Sequence, residues 1–371
     1  FIYAARSRLY TEYGLNPLTA LPNLYVDRDP YFHYASLEWG GHGSPYGPLW
    51  NLLAAPVTIF GGASITKALI GFKAMAVIAY FGGGAFIWRA VERMLVLWEG
   101  IGNGHNDLVM MLFVLAACWA WAAGEEEAVV PFIIVAVLIK YVALVILPIV
   151  AVATLRRQPS VRAALKVIVW WAVLGGAVLA FGLAPFYDLD AIRTSIRDQS
   201  DILLTSPGAV LFHELRLRDE PESVSHTIIR LGQAIAAAAI LLLTLLAALR
   251  PAKMIRYAFE AFFILLIFGV PALREWYGIW IIALAALLPL GWPAARGVVF
   301  AMGALASYGV AIWIQAWRGT NFGDIGIFMV LLMLGPAIVI ALLEAADSYA
   351  WWRVRRALAL TPSPSPDSRR G

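Results

Sequence analysis

Two short stretches of this sequence carry side chains that could do chemistry. Gly102-Asn103-Gly104-His105-Asn106-Asp107 packs four polar side chains immediately ahead of an apolar run. An imidazole and a carboxylate at a membrane surface could accept a proton, orient a partner through hydrogen bonds, or ligate a metal. The plainer reading is a helix N-terminus, since Asn and Asp oxygens accept free backbone N–H groups. A cap needs one such side chain, and here there are four. Lys140-Tyr141 interrupts a second apolar run, 128–154. A lysine deep in lipid costs roughly 2.5–3.5 kcal/mol on insertion scales, so it either marks a function or snorkels to the surface. An ammonium held there could bind a phosphate.

Other candidates are weaker. Asp27 and Asp29 lie in Tyr25-Val26-Asp27-Arg28-Asp29-Pro30, and Tyr46 in Ser44-Pro45-Tyr46-Gly47-Pro48-Leu49-Trp50. These stretches read as a solvated loop that meets lipid through an aromatic belt. Arg274-Glu275-Trp276-Tyr277 forms a short turn between two apolar runs, either as an interfacial anchor or as an Arg gripping a lipid phosphate. Arg193, Arg197 and Asp198 read as a solvated helix face. Cys118, the single cysteine, excludes a disulfide or cysteine metal cluster. No Walker motif, GxGxxG or Gly-x-Ser-x-Gly is present. The doubled glycines at 82–84 and 175–176 fit close packing between helices.

The elements that must position these residues follow from composition. Of 371 residues 61% are apolar and 14% charged, with a net charge of +4. A soluble domain is roughly 45–50% apolar and 25% charged. This chain cannot cover a water-facing surface, and its mean hydropathy of +0.75 agrees. Soluble enzymes, disordered scaffolds and nucleic-acid readers are excluded. With about 20 apolar residues per span, the expected fold is all-α, a polytopic transmembrane helical bundle embedded in membrane lipid. Apolar runs fall near 65–89, 108–123, 128–154, 167–187, 227–249, 257–272, 276–292, 297–316 and 325–345. Leu49 to Phe60 is too short to cross and reads as an interfacial or re-entrant helix. Three regions are expected: a first extracytoplasmic loop with the interfacial helix (1–62), the transmembrane domain (63–347), and a basic, disordered cytoplasmic tail (348–371).

Lys and Arg set the orientation. Arg89 and Arg93, then Arg156, Arg157, Arg162 and Lys166, then Arg250, Lys253 and Arg256, then Arg296, then Arg353, Arg355 and Arg356 recur on alternate sides of the runs. The positive-inside rule places all of them in the cytoplasm, with residues 1–47 and 188–225 outside. The ten residues Leu95 to Gly104 break the alternation, since as helix they span about 15 Å. Either they stay on the cytoplasmic side and 128–154 is one long span, or a crossing is shortened there and 128–154 is a hairpin with its tip at Lys140. Charge parity is the same in both cases.

Several stretches taken in order resemble a known family. Tyr3-Ala4-Ala5-Arg6 through Tyr13-Gly14-Leu15-Asn16-Pro17, then Pro22 and Ser44 to Trp50, look like the first outer loop of polyprenol-phosphate-mannose-dependent mannosyltransferases. Leu95-Val96-Leu97-Trp98-Glu99 followed by Gly104-His105-Asn106-Asp107 resembles their signature run. Leu138 to Tyr141 with Pro148 resembles the hairpin that follows, and Trp276-Tyr277 a late outer-loop pair. The likeness covers most of residues 1–160 and thins beyond.

The resemblance implies a multi-span glycosyltransferase of the C class, active on the outer face of the membrane. It implies inverting transfer of a hexose, mannose first, from a polyprenyl-phosphate sugar donor to a glycan or glycolipid acceptor. His105, Asp107 and, as substitutes for an upstream base, Asp27 or Asp29 then become the catalytic candidates. Lys140, Tyr141 and Arg274 face the donor phosphate, and Tyr46, Asn106, Trp276 and Tyr277 contact substrate. In the family the catalytic Asp stands a few residues before the Tyr matching Tyr3, so here it is expected upstream of Phe1, together with a first span. The resemblance names no certain cofactor, and a divalent cation stays an open alternative. A transporter or flippase is the competing class. It calls for internal repeats and charges facing one another at mid-bilayer, and no repeat is visible. A noncatalytic membrane subunit is the third possibility.

Overall fold

The computed structural model describes residues 2–34, 40–90, 106–186, 188, 190–194, 205–214, 222–318 and 322–360. Every helix or strand element among them is helical. The chain opens with α1 (Ile2–Thr11), passes through short turns, and enters α2 (Pro48–Gly61) and α3 (Ile65–Ala90). Then come α4 (Asn106–Ala123), α5 (Glu126–Ile139), a 3-10 turn (Tyr141–Ile146) and α6 (Leu147–Arg156). α7 (Val161–Trp170) runs through a π turn into α8 (Gly176–Leu183). After α9 (Pro207–Glu214) follow α10 (Glu222–Leu249), α11 (Met254–Ile264), α12 (Gly278–Ala285), α13 (Trp292–Arg318) and α14 (Phe322–Leu360). Among the described residues five stretches are long and apolar enough to cross a membrane: Ile65–Gly83, Asn106–Ala123, Val161–Phe186, Ser223–Leu249 and Gly326–Trp351. On α7–α8 and α10 most residues are not buried, and Leu179, Phe181, Leu241, Leu242 and Leu245 are exposed. That is how helices facing lipid look, since lipid tails are as apolar as Leu.

Contacts at helix ends give the directions. Phe72 on α3 and Asn106 on α4 both touch Tyr3. Further along, Gly82 abuts Leu112 and Gly83 abuts Leu115, so α3 and α4 run the same way. Residues 91–105, with the Leu95–Gly104 stretch that breaks the alternation, lie outside the described residues. Asp107 at the start of α4 meets Lys140 at the end of α5. Trp121 near the end of α4 accepts a hydrogen bond from Arg157, just past α6. The 128–154 run is thus a helical hairpin with its tip at Lys140 and not one long span. Arg156 donates to the carbonyl of Ala248 at the end of α10, and Arg256 and Arg296 share Glu260 and Glu344. These cations gather at the end opposite Asp107 and Lys140.

Local chemistry explains the junctions. Ser160 caps α7 by accepting from the Ala163 N–H, the ordinary use of a serine there. Pro48 sits in the first turn of α2, where its missing N–H costs nothing. Two expectations need correction. The 276–292 run is not one span: its helix stops at Ala285, ahead of Pro289, Gly291 and Pro293. The last helix also continues past 347 to Leu360, because no breaker occurs before Pro362. Most buried apolar residues on α2 to α6 and α11 to α14 form one core. Ala5, Leu9 and Phe32 form a satellite that seats α1.

Candidate functional site

Asn106 and Asp107 open α4, and a carboxylate in the first turn is stabilised by the helix dipole. The Asp107 side chain is fully buried. Its Oδ1 accepts from the Lys140 ammonium at 2.7 Å and from the Trp280 indole N–H at 2.5 Å. Its Oδ2 has no hydrogen-bond partner among the described residues. Lys140 leaves the helix into an extended conformation, φ −150 and ψ 120, and no Pro or Gly forces that break. The turn carries its side chain across to α4. Asp107 is its one hydrogen-bond partner among the described residues, so two ammonium N–H groups remain, and 14% of the side chain is exposed.

Two aromatic faces line the ammonium. Its nitrogen stands 4.6 Å from the Tyr277 ring centroid and 5.1 Å from that of Trp280. The two rings stack at 4.2 Å. Cation–π contacts of this kind are worth about 0.5–2 kcal/mol. Trp280 was not singled out in the sequence, although it lies one helical turn beyond Tyr277 and so shares its face.

The N-terminal segment closes the other side. Tyr3 donates to the Asn106 side-chain oxygen at 3.3 Å and packs edge-on against Tyr46 and Trp50. Arg6, buried to 1% exposure, lies over the Tyr46 ring. Burial raises the Tyr46 phenol above its ordinary range, while the Arg6 and Lys140 charges pull it back. Burial likewise raises Tyr3, with Tyr46 and Asp107 adding to it.

Tyr46, Asn106, Asp107, Lys140 and Tyr277 are therefore brought together. Trp276 and Arg274 flank Tyr277 from the same turn, and the others are placed elsewhere. Asp27 is exposed in a turn. Asp29 is buried against Arg8, whose Nε and Nη2 reach its Oδ2 at 2.7 and 2.6 Å, with Tyr13 and the Tyr31 N–H as further donors. Arg274, 8% exposed, lies over the Trp276 ring, and Trp276 meets Tyr277 edge-on. The Tyr141 hydroxyl is buried without a hydrogen-bond partner among the described residues. His105 lies outside the described residues, as do Arg197 and Asp198. Arg193 is exposed, bridging to Asp190. No three His, Cys, Asp or Glu side chains converge as metal ligands among the described residues.

The arrangement can do one thing well. It offers a partly open ammonium, fixed by a sealed carboxylate and bordered by aromatic faces, to an anionic group that arrives with an apolar or sugar body.

Comparison with known proteins agrees with the resemblance read from the sequence. Residues 1–156 match the family described as alpha-(1->6)-mannopyranosyltransferase, N-terminal domain. Alpha-(1->6)-mannopyranosyltransferase A of Mycobacterium tuberculosis is 24% identical over 366 aligned residues, which take in 86% of this chain and 68% of that one. No solved structure matches.

Proposed function

We propose that the protein is a membrane mannosyltransferase. It moves a mannosyl residue from a polyprenyl-phosphate donor to a glycan or glycolipid acceptor, with inversion, on the extracytoplasmic side. The observation that carries this reading is the Asp107–Lys140 ion pair, enclosed by the Tyr3–Tyr46–Trp50 wall and by Tyr277. Asp107 and Lys140 lie within residues 1–156, whose sequence matches the transferase family, and Tyr277 joins them from the late turn outside that segment. The outward orientation is supported by the basic residues, which gather at the opposite end of the bundle.

Inverting transfer needs a carboxylate to take the proton of the attacking hydroxyl. It needs donors or cations to stabilise the charge growing on the departing phosphate, and an apolar surface for the lipid tail. Lys140 supplies the cation: its two uncommitted N–H groups face the donor phosphate, and Arg274 assists from the turn before Tyr277. Tyr46, Trp276 and Tyr277 offer aromatic surface to the sugar, and Asn106, as enclosed as Asp107, acts through Tyr3, from whose hydroxyl it accepts. His105, next in chain to this pair, orients sugar or phosphate. Asp29 is committed to Arg8, so of the two loop carboxylates Asp27 is the one free to act as a base.

The test is to supply the full-length protein in membranes with polyprenyl-phosphate-mannose and an acceptor glycan, and to determine the product anomer. Mannose is expected in the product with configuration opposite to the donor. Use of a nucleotide sugar instead, retention of configuration, or near-parental rates in Lys140→Ala would sink the assignment.

A further inference from the structure

Asp107 is the most tightly held group of the cluster and the least reachable. Its carboxylate is sealed from solvent, while the Lys140 side chain is partly open. A carboxylate so enclosed cannot take a proton from an acceptor or grip a sugar. It acts through what it binds, and it binds two groups, both at Oδ1: the Lys140 ammonium and the Trp280 indole. Trp280 also presents its ring to that ammonium and stacks on Tyr277, which presents another. One helix, α12, therefore holds both ends of the ion pair. Without the indole N–H the carboxylate could rotate about its terminal torsion. Oδ2, which has no partner among the described residues, would then reach Lys140 and draw the ammonium off the rings.

Resting on the transferase reading above, we propose that Trp280 is a positioning residue. Its N–H fixes the Asp107 carboxylate, which fixes the Lys140 ammonium for the donor phosphate, and Asp107 works through Lys140 and not as the base.

Binding of a polyprenyl phosphate to the full-length protein in detergent tests this with Lys140→Ala, Trp280→Phe and the double variant. Phe keeps a ring against Lys140 and Tyr277 and removes only the N–H. Lys140→Ala is expected to weaken binding about tenfold and Trp280→Phe about threefold, with the double variant no weaker than Lys140→Ala alone, as for residues acting through one group. Multiplying losses in the double variant would mean that Trp280 acts independently. That overturns the inference and leaves the donor site standing. Unchanged binding in Lys140→Ala would overturn both. Asp107→Asn, which keeps an acceptor oxygen for the indole, supplies a second readout. Binding and transfer are expected to fall together, by about two- to fivefold, as for a group that acts through Lys140. Transfer lost about a hundredfold with binding intact would make Asp107 a reacting group, on the scale that removal of a general base produces, and would overturn the inference.

Discussion

The amide N–H of Gly47 donates to the carbonyl of Ile139 at 3.1 Å, one residue before the lysine at the hairpin tip. This backbone contact joins the N-terminal loop to the α5–α6 hairpin and brings Tyr46 into the field of Lys140. A side chain on residue 47 would place its Cβ 1.9 Å from the Leu138 carbonyl oxygen, so the approach requires glycine. Gly47→Ala is expected to push the loop away from the hairpin at a cost of about 1–3 kcal/mol, the usual range for overpacking. Thermal unfolding in detergent should fall, and donor affinity should fall with it. A variant with parental unfolding temperature and parental affinity would show that the loop is not seated this way.

How much of this was legible beforehand depends on the residue. Lys140 stands out because charge is costly in an apolar run, and Asp107 because four polar side chains crowd where a helix cap needs one; their meeting is what the hairpin alternative required. Charge counting does not choose between hairpin and single span, because both leave the same charge parity downstream; only the family resemblance favours the hairpin. The choice turned on the extended backbone at Lys140, which no Pro or Gly announces. Trp280 was hidden for the opposite reason, since an indole within an apolar stretch looks like core until its N–H finds a carboxylate 173 residues away in sequence. Asp29 looked like a candidate base because partners such as Arg8 cannot be read from the composition of a loop.

Asp29 and Asp27 should separate sharply. Asp29 is a buried half of an ion pair with Arg8, which also donates to Glu12 and to the Gly62 carbonyl and so ties α1 to the corner between α2 and α3. Removing one partner of a buried pair costs about 3–5 kcal/mol, because the other charge is stranded. Asp29→Ala is expected to lower stability and activity together, and Arg8→Met with Asp29→Leu should recover much of the stability. Asp27→Asn should leave unfolding unchanged and test the base role alone. Parental stability in Asp29→Ala would remove the clamp from the account.

Glu275 provides a pH dependence. It is 9% exposed, and burial, the largest influence, raises its carboxyl above the ordinary 4.5, opposed by its own backbone N–H and by Arg274. The fold thus favours the protonated acid. The stability it contributes is full below its unfolded value and is lost as pH rises through the raised folded value. Glu275→Gln stays neutral throughout. It is expected to unfold at a higher temperature than the parent near about pH 7, with the two converging as the pH falls below about 4.5. Equal unfolding temperatures across that range would show that the carboxylate is solvated.

The far end of the bundle holds a second buried charge network, and it should behave as scaffold. Arg296, with a 4% exposed side chain, makes a two-pronged pair with Glu260 and also reaches Glu344. Arg256 bridges the same two carboxylates. The rings of Phe259 and Phe263 lie 4.8 and 4.6 Å from the Arg296 guanidinium. Two cations and two anions thus balance where α11, α13 and α14 meet. Arg296→Met leaves two adjacent carboxylates sharing one arginine, and the loss is expected to be about 3–5 kcal/mol, as for other broken buried pairs. Replacing Glu260 by Gln in the same chain relieves the excess charge and should restore part of the unfolding temperature. Donor affinity of the folded fraction should stay at the parental value, because the network stands at the end opposite Lys140. If Arg296→Met unfolds like the parent, or if the second substitution makes matters worse, the charges at this end do not bind the three helices together.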